Sequence, residues 1–263
     1  MDRAEHRIAV EDGIKLVAML RSCGFDVAGK IGLEIGTGWV PTIPIILWLC
    51  GAERLYLTDV ARYLDQQTLN LARQNLRLHA DLVEHELGIP RSVVEEKLSR
   101  ATALSHFGFE YLAPIKWDAL SSADIDYVIS RAVLEHIPSR DIPKILVEIS
   151  HVLKPGGLLA NIIDNSDHFQ HQDSSISRLN FLQFSDTTWG LICSLTDQQN
   201  RLRHSDYRKI FSSSGFQILY ERRYVDPGTL STLDQLKIQP KFRTYDREDL
   251  ATLTSYFVLR KPA

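Results

Sequence analysis

The chain has 263 residues, 44% hydrophobic and 24% charged, with 30 Lys and Arg against 33 Asp and Glu. This profile excludes disordered, collagen-like and membrane-embedded classes, and a chain of this length can bury a core without disulfide staples. A net charge of −3 leaves no global basic field for a nucleic-acid backbone or an anionic membrane.

Cys23, Cys50 and Cys193 are odd in number, far apart and without CxxC spacing, which speaks against a disulfide framework or a zinc site and for a reducing cytoplasm. The start, Met1 to Arg7, has no apolar core of a signal peptide. The longest apolar run, Trp39 to Cys50, is broken by Pro41, Thr42 and Pro44 and is too short for a membrane span.

Along the chain, Ile8, Val10, Ile14, Leu16, Val17 and Leu20 predict a helix over residues 4–21. Ile31 to Ile35 reads as a short strand ending in Gly36-Thr37-Gly38, and Pro41 can open the next helix. A second strand is expected over 54–58, closed by Asp59. Residues 62–108 read as helical, with a new segment near Pro90. Strands are then expected over 111–117 and 125–130, a helix from Ile142 to Leu153 stopped by Pro155-Gly156-Gly157, and a strand over 158–163. Ser205 is the expected cap of a helix over 206–214, followed by a strand over 216–222, a helix over 247–253 and a last strand over 255–260. Strands alternating with helices predict an α/β, doubly wound, mostly parallel sheet covered on both faces.

Leu33-Glu34-Ile35-Gly36-Thr37-Gly38 is the strongest local signal. Glycines between a strand and a helix let a ligand approach the backbone and the free N–H groups of the helix start. A dinucleotide fingerprint wants a third glycine where Pro41 stands, and Glu34 would repel a pyrophosphate. A cofactor with a cationic end and no phosphate, S-adenosylmethionine, suits Glu34 better. Asp59 at the end of strand two can accept ribose hydroxyls, and Asp118-Ala119 after strand three can meet an adenine.

With these pieces the sequence resembles the class I S-adenosylmethionine-dependent methyltransferases from about Ile31 to Lys261. The matching stretches are LEIGTG at 33–38, TD at 58–59, WDA at 117–119, DYVISRAVLEHI at 126–137, LKPGG at 153–157 and SYFVLRK at 255–261. The resemblance implies a Rossmann-like seven-stranded sheet with an antiparallel C-terminal strand. It also implies a cofactor held by Glu34, Gly36, Thr37, Gly38, Asp59, Asp118, Ala119 and, after strand four, Arg131. Val40 departs from a further glycine common in the family.

Acceptor chemistry is expected after strands four and five, where Arg131, Glu135 and His136 and the run Asp164-Asn165-Ser166-Asp167-His168 lie. His168 can take a hydroxyl proton with Asp167 or Asp164 orienting it. Alternatively Asp164, Asp167 and His168 bind a divalent metal, as some sugar O-methyltransferases of the superfamily do with magnesium, or form a plain polar loop. His171 and two arginines, Arg201 and Arg203, are expected to contact the acceptor, the arginines as an anion clamp before a helix. The stretch from Asp167 to Tyr207 is similar to methyltransferases of polysaccharide and sugar modification. The whole reads as one methyltransferase domain with a helical insert at 62–110 and a substrate-side insert at 165–205. The expected activity is O-methylation of a sugar, glycan or related polar small molecule by a cytoplasmic enzyme, and a homodimer is compatible with it. The alternatives are a nucleic-acid methyltransferase, which the acidic balance disfavours, an NAD-dependent oxidoreductase, which Glu34 and Pro41 disfavour, and a catalytically inactive partner subunit.

Overall fold

Short apolar runs with two-residue alternation build the sheet. The computed structural model describes residues 3–120, 124–193 and 199–262. Its strands are β1 (Ile31–Ile35), β2 (Arg54–Thr58), β3 (Phe109–Leu112), β4 (Ile125–Arg131), β5 (Leu153–Asp164), β6 (Gln217–Val225) and β7 (Thr252–Arg260). They form one seven-stranded sheet in the order β3-β2-β1-β4-β5-β7-β6. The first five are parallel, and β7 runs antiparallel to both β5 and β6. The expected Rossmann-like sheet is therefore present.

Ten helices accompany it among the described residues: α1 (Arg3–Ser22), α2 (Thr42–Leu49), α3 (Gln66–Leu78), α4 (Ala80–Leu87), α5 (Arg91–Arg100), α6 (Ile142–Val152), α7 (Asp186–Ile192), α8 (His204–Ser213), α9 (Pro227–Thr232) and α10 (Arg247–Ala251). Side-chain alternation along β4 sorts them into two layers. Tyr127 and Ile129 join the core under α1, α2 and α3, whereas Val128 joins the core under α6 and α8. A third cluster packs Leu179, Phe181 and Trp189, within the segment expected to be an insert, against Leu233, Phe242 and Leu250. It fixes that insert to the segment leading into β7.

Element boundaries differ from expectation where a local bond or a missing donor decides. Strand three is 109–112 rather than 111–117, since Pro114 has no N–H for the ladder. The helix expected from 206 starts at His204, because the Asp206 carboxylate accepts the Arg203 N–H at 3.0 Å and draws the start forward past Ser205. The long helical reading of 62–108 resolves into α3, α4 and α5, broken first at His79, whose Nδ1 lies 2.9 Å from the Asn75 carbonyl.

Gly32 on β1 faces the α1/α2 layer, where a Cβ would stand 2.5 Å from the Tyr127 ring and 2.7 Å from Leu55. Gly32→Ala is expected to cost about 1–3 kcal/mol through overpacking. A thermal melt should show a lowered midpoint, and an unchanged midpoint would contradict this packing.

Candidate active site

The parallel strands end at a common edge, and the turn after β1 forms the floor of the site. Gly36 and Thr37 donate their N–H groups to the Thr58 carbonyl at 2.9 and 3.0 Å, and the Gly38 N–H reaches Asp59 Oδ2 at 2.8 Å. Gly36 has φ +76°, and a Cβ there would stand 2.2 Å from Val133 Cγ2. This position requires glycine for both its conformation and its contact. Asp59 also accepts the Val60 N–H through Oδ1 at 2.7 Å, so the acid expected to meet a ribose braces the glycine turn as well.

Beside this turn, Glu34 is only 4% exposed, and its Oε2 has no hydrogen-bond partner among the described residues. Burial pushes its pKa up to about 8, opposed by the nearby Thr37 hydroxyl and reinforced by the charge of Asp59. A buried carboxylate with an unused oxygen is built to meet a cation.

A cavity of about 1180 Å³ opens above it, lined by Glu34, Gly36, Thr37 and Gly38 at one side and by His136, His168 and His171 at another. Arg131 and Asp164 also line it. Asp118 and Ala119 are exposed on the turn after β3, outside the lining of this cavity.

The three histidines come together as the loops after β4 and β5 converge. Ring centroids lie 4.9 Å apart for His136 and His168 and 5.2 Å for His168 and His171. Asp164 Oδ2 is 3.6 Å from His168 Nε2. Glu135 lies beneath, 2% exposed, with Oε1 accepting the Asp164 N–H at 3.3 Å and Oε2 without a hydrogen-bond partner among the described residues. Its pKa is pushed up to about 8 by burial and by the charge of Asp164.

Three expected roles are corrected by burial. Asp167 is fully buried, outside the cavity lining, and caps the turn at 168–171: it accepts the Phe169 N–H at 3.0 Å and the Asn180 amide at 3.4 Å. Of the two acids expected beside His168, Asp164 is the one near its ring, at 3.6 Å from Nε2, whereas Asp167 is spent on the turn and is not available to a metal. The Arg201–Arg203 anion clamp does not form. Arg201 donates to the Phe181 and Phe184 carbonyls at 2.8 and 2.6 Å and pairs with Asp186. Arg203, 0% exposed, spends its guanidinium on the Asn165, Asp249 and Thr252 carbonyls. Alternating side chains on a loop look like a clamp in sequence, but here they are struts.

Sequence reasoning also missed the far wall. Asp12 of α1, 6% exposed, accepts from Arg131 Nε at 2.9 Å and from Lys15 at 3.1 Å, so Arg131 is an ion-pair partner at the cavity wall. Tyr220 and Arg222 of β6 and Tyr256 of β7 complete that wall. The signal for Asp12 was an acid inside the apolar stripe of α1. The strand residues gave none, because which face of an edge pair meets a cavity depends on the fold.

The model of a methyltransferase domain matches residues 93–161. No curated protein matches the chain. Among solved structures, a candidate S-adenosylmethionine-dependent methyltransferase from Listeria monocytogenes shares 14% identity at TM-score 0.54, over 96% of this chain and all of the other. Magnesium protoporphyrin IX methyltransferase from Synechocystis PCC 6803, with S-adenosylhomocysteine bound, gives 15% and 0.51 over 97% and 84%. At these identities the likeness is one of fold. No helix among the described residues is long and apolar enough to cross a membrane.

The residues present fit S-adenosylmethionine: an orphaned carboxylate oxygen at Glu34 for its cationic end and a glycine cradle that a Cβ would fill. Glu34 must be ionised to pair with that end, so cofactor affinity should rise with pH and level off above about 8. In calorimetry with S-adenosylhomocysteine, Glu34→Gln should flatten this dependence and weaken binding about tenfold or more at high pH. An unchanged pH profile would contradict the pairing. The chain thus has the fold of S-adenosylmethionine-dependent methyltransferases and is similar to a methyltransferase domain over residues 93–161.

Proposed function

We propose that this chain is a cytoplasmic enzyme transferring a methyl group to a hydroxyl of a sugar, glycan or related polar small molecule. One observation carries the reading: the same cavity is lined by Glu34 with the glycine turn and by a cluster of three histidines. At about 1180 Å³ it is larger than the range of roughly 300–1,000 Å³ common for one ligand, which leaves room for an acceptor beside the cofactor.

When bound, S-adenosylmethionine supplies a methyl group on a sulfonium, already activated for displacement. The protein's task is alignment, exclusion of water and help with a proton. Glu34 and the turn at 36–38 hold the cofactor's cationic end. The histidine cluster lining the cavity would lower the cost of the acceptor's hydroxyl proton leaving, a need that an amine free base does not have. Tyr220 and Tyr256 offer flat, amphipathic faces suited to a sugar ring.

Incubation with S-adenosylmethionine and a panel of sugar and polyol acceptors, followed by mass spectrometry, should show O-methylated product. His136→Ala and His168→Ala should each lower turnover about 100-fold or more while leaving S-adenosylhomocysteine affinity unchanged. Methylation confined to amines or to tRNA would overturn the hydroxyl reading.

A further inference from the structure

We propose that Glu135, His136 and His168 form a binding site for one divalent transition-metal ion of the zinc type at the mouth of the cavity. Each offers one ligand atom, and all these atoms lie within 4.8 Å of one another. In a tetrahedral site with zinc bonds of the usual length, ligand atoms stand about 3.4 Å apart, a convergence that rotation of the imidazoles supplies. Three features favour a metal over a chance cluster. The Glu135 carboxylate is 2% exposed and keeps an oxygen without a hydrogen-bond partner among the described residues. Asp164, at 3.6 Å from His168 Nε2, is placed as the outer carboxylate that metal-bound imidazoles commonly keep. The two histidines line the cavity, so the ion would keep open positions toward a ligand, as a catalytic rather than a structural site does.

Ligand chemistry selects the ion. Two imidazoles and one carboxylate suit zinc, cobalt, manganese or ferrous iron, whereas magnesium takes oxygen ligands and water. The ligand set also differs from one of Asp164, Asp167 and His168, since Asp167 is spent on the turn at 168–171.

Its role rests on the hydroxyl-transfer reading. A hydroxyl oxygen coordinated to the ion becomes more acidic: its O–H bond breaks, the electron pair stays on the oxygen, and the proton passes to water. The oxygen is left as a nucleophile facing the cofactor side of the cavity.

The test uses the whole chain, stripped with chelator and titrated with Zn²⁺ by calorimetry, with Co²⁺ absorption as a second probe. One Zn²⁺ per chain and visible Co²⁺ bands are expected. His136→Ala and His168→Ala should weaken Zn²⁺ binding at least about 100-fold and abolish the bands. Intact S-adenosylhomocysteine binding shows that each variant is folded, and Glu135→Gln gives the conservative check. No stoichiometric Zn²⁺, or equal binding by the variants, overturns the site. Full turnover by chelated protein overturns its catalytic role while O-methyl transfer stands. Zn²⁺ bound at the site with methylation only of nitrogen supports the site and overturns the hydroxyl reading.

Discussion

A carboxylate held almost out of water at the end of β1 is the constraint on which the site depends. Glu34 points into the α1/α2 layer, where neighbouring β1 and β4 positions are glycine, Tyr127 and Ile129. Desolvating an acid there is unfavourable unless a cation arrives. The surrounding backbone is arranged around that need. Gly36 turns with positive φ against Val133, and Asp59 ties down Gly38, so the backbone passes the cavity without a Cβ at these two positions.

The loops that carry the histidines are held by polar groups of residues 199–203 that act as struts. Asn200 donates through its side chain to the Leu134 and Ile137 carbonyls at 2.7 and 2.8 Å, and through its N–H to the Glu135 carbonyl at 2.8 Å. It thereby pins the loop that carries Glu135 and His136. Gln199 bonds to the Ser166 carbonyl and accepts the His168 N–H, tying in the loop after β5. Arg203 extends the brace to β7 through Thr252, and Arg201 lies over Trp189 and Phe242. A buried guanidinium that satisfies several carbonyls is hard to replace, since each orphaned acceptor costs about 1–3 kcal/mol. These bonds tie together the loops that carry Glu135, His136 and His168.

Much of this was legible in the sequence. Strands one and two appear at their expected residues, since apolar runs flanked by glycine and aspartate leave few alternatives. The cavity turn was legible for the same reason: Glu34, Gly36 and Gly38 act locally. His136 and His168 were legible only as members of two separate loops. Their meeting depends on adjacent strands β4 and β5 ending side by side, which is a property of strand order. Arg201, Arg203 and Asp167 were misread because charged residues in a loop carry no mark of burial. The arginines bond mainly to main-chain carbonyls far away in sequence, which any residue could have supplied. Asp12 was missed for a similar reason, its partner Arg131 lying on another element.

A crystal structure with S-adenosylhomocysteine bound tests the central claim most directly. The account predicts the amino-acid end of the ligand within hydrogen-bond distance of Glu34 and the turn at 36–38, with its sulfur facing the cavity bordered by His136 and His168. A ligand bound elsewhere, or with Glu34 left unpaired and the sulfur turned away from the histidines, would contradict it.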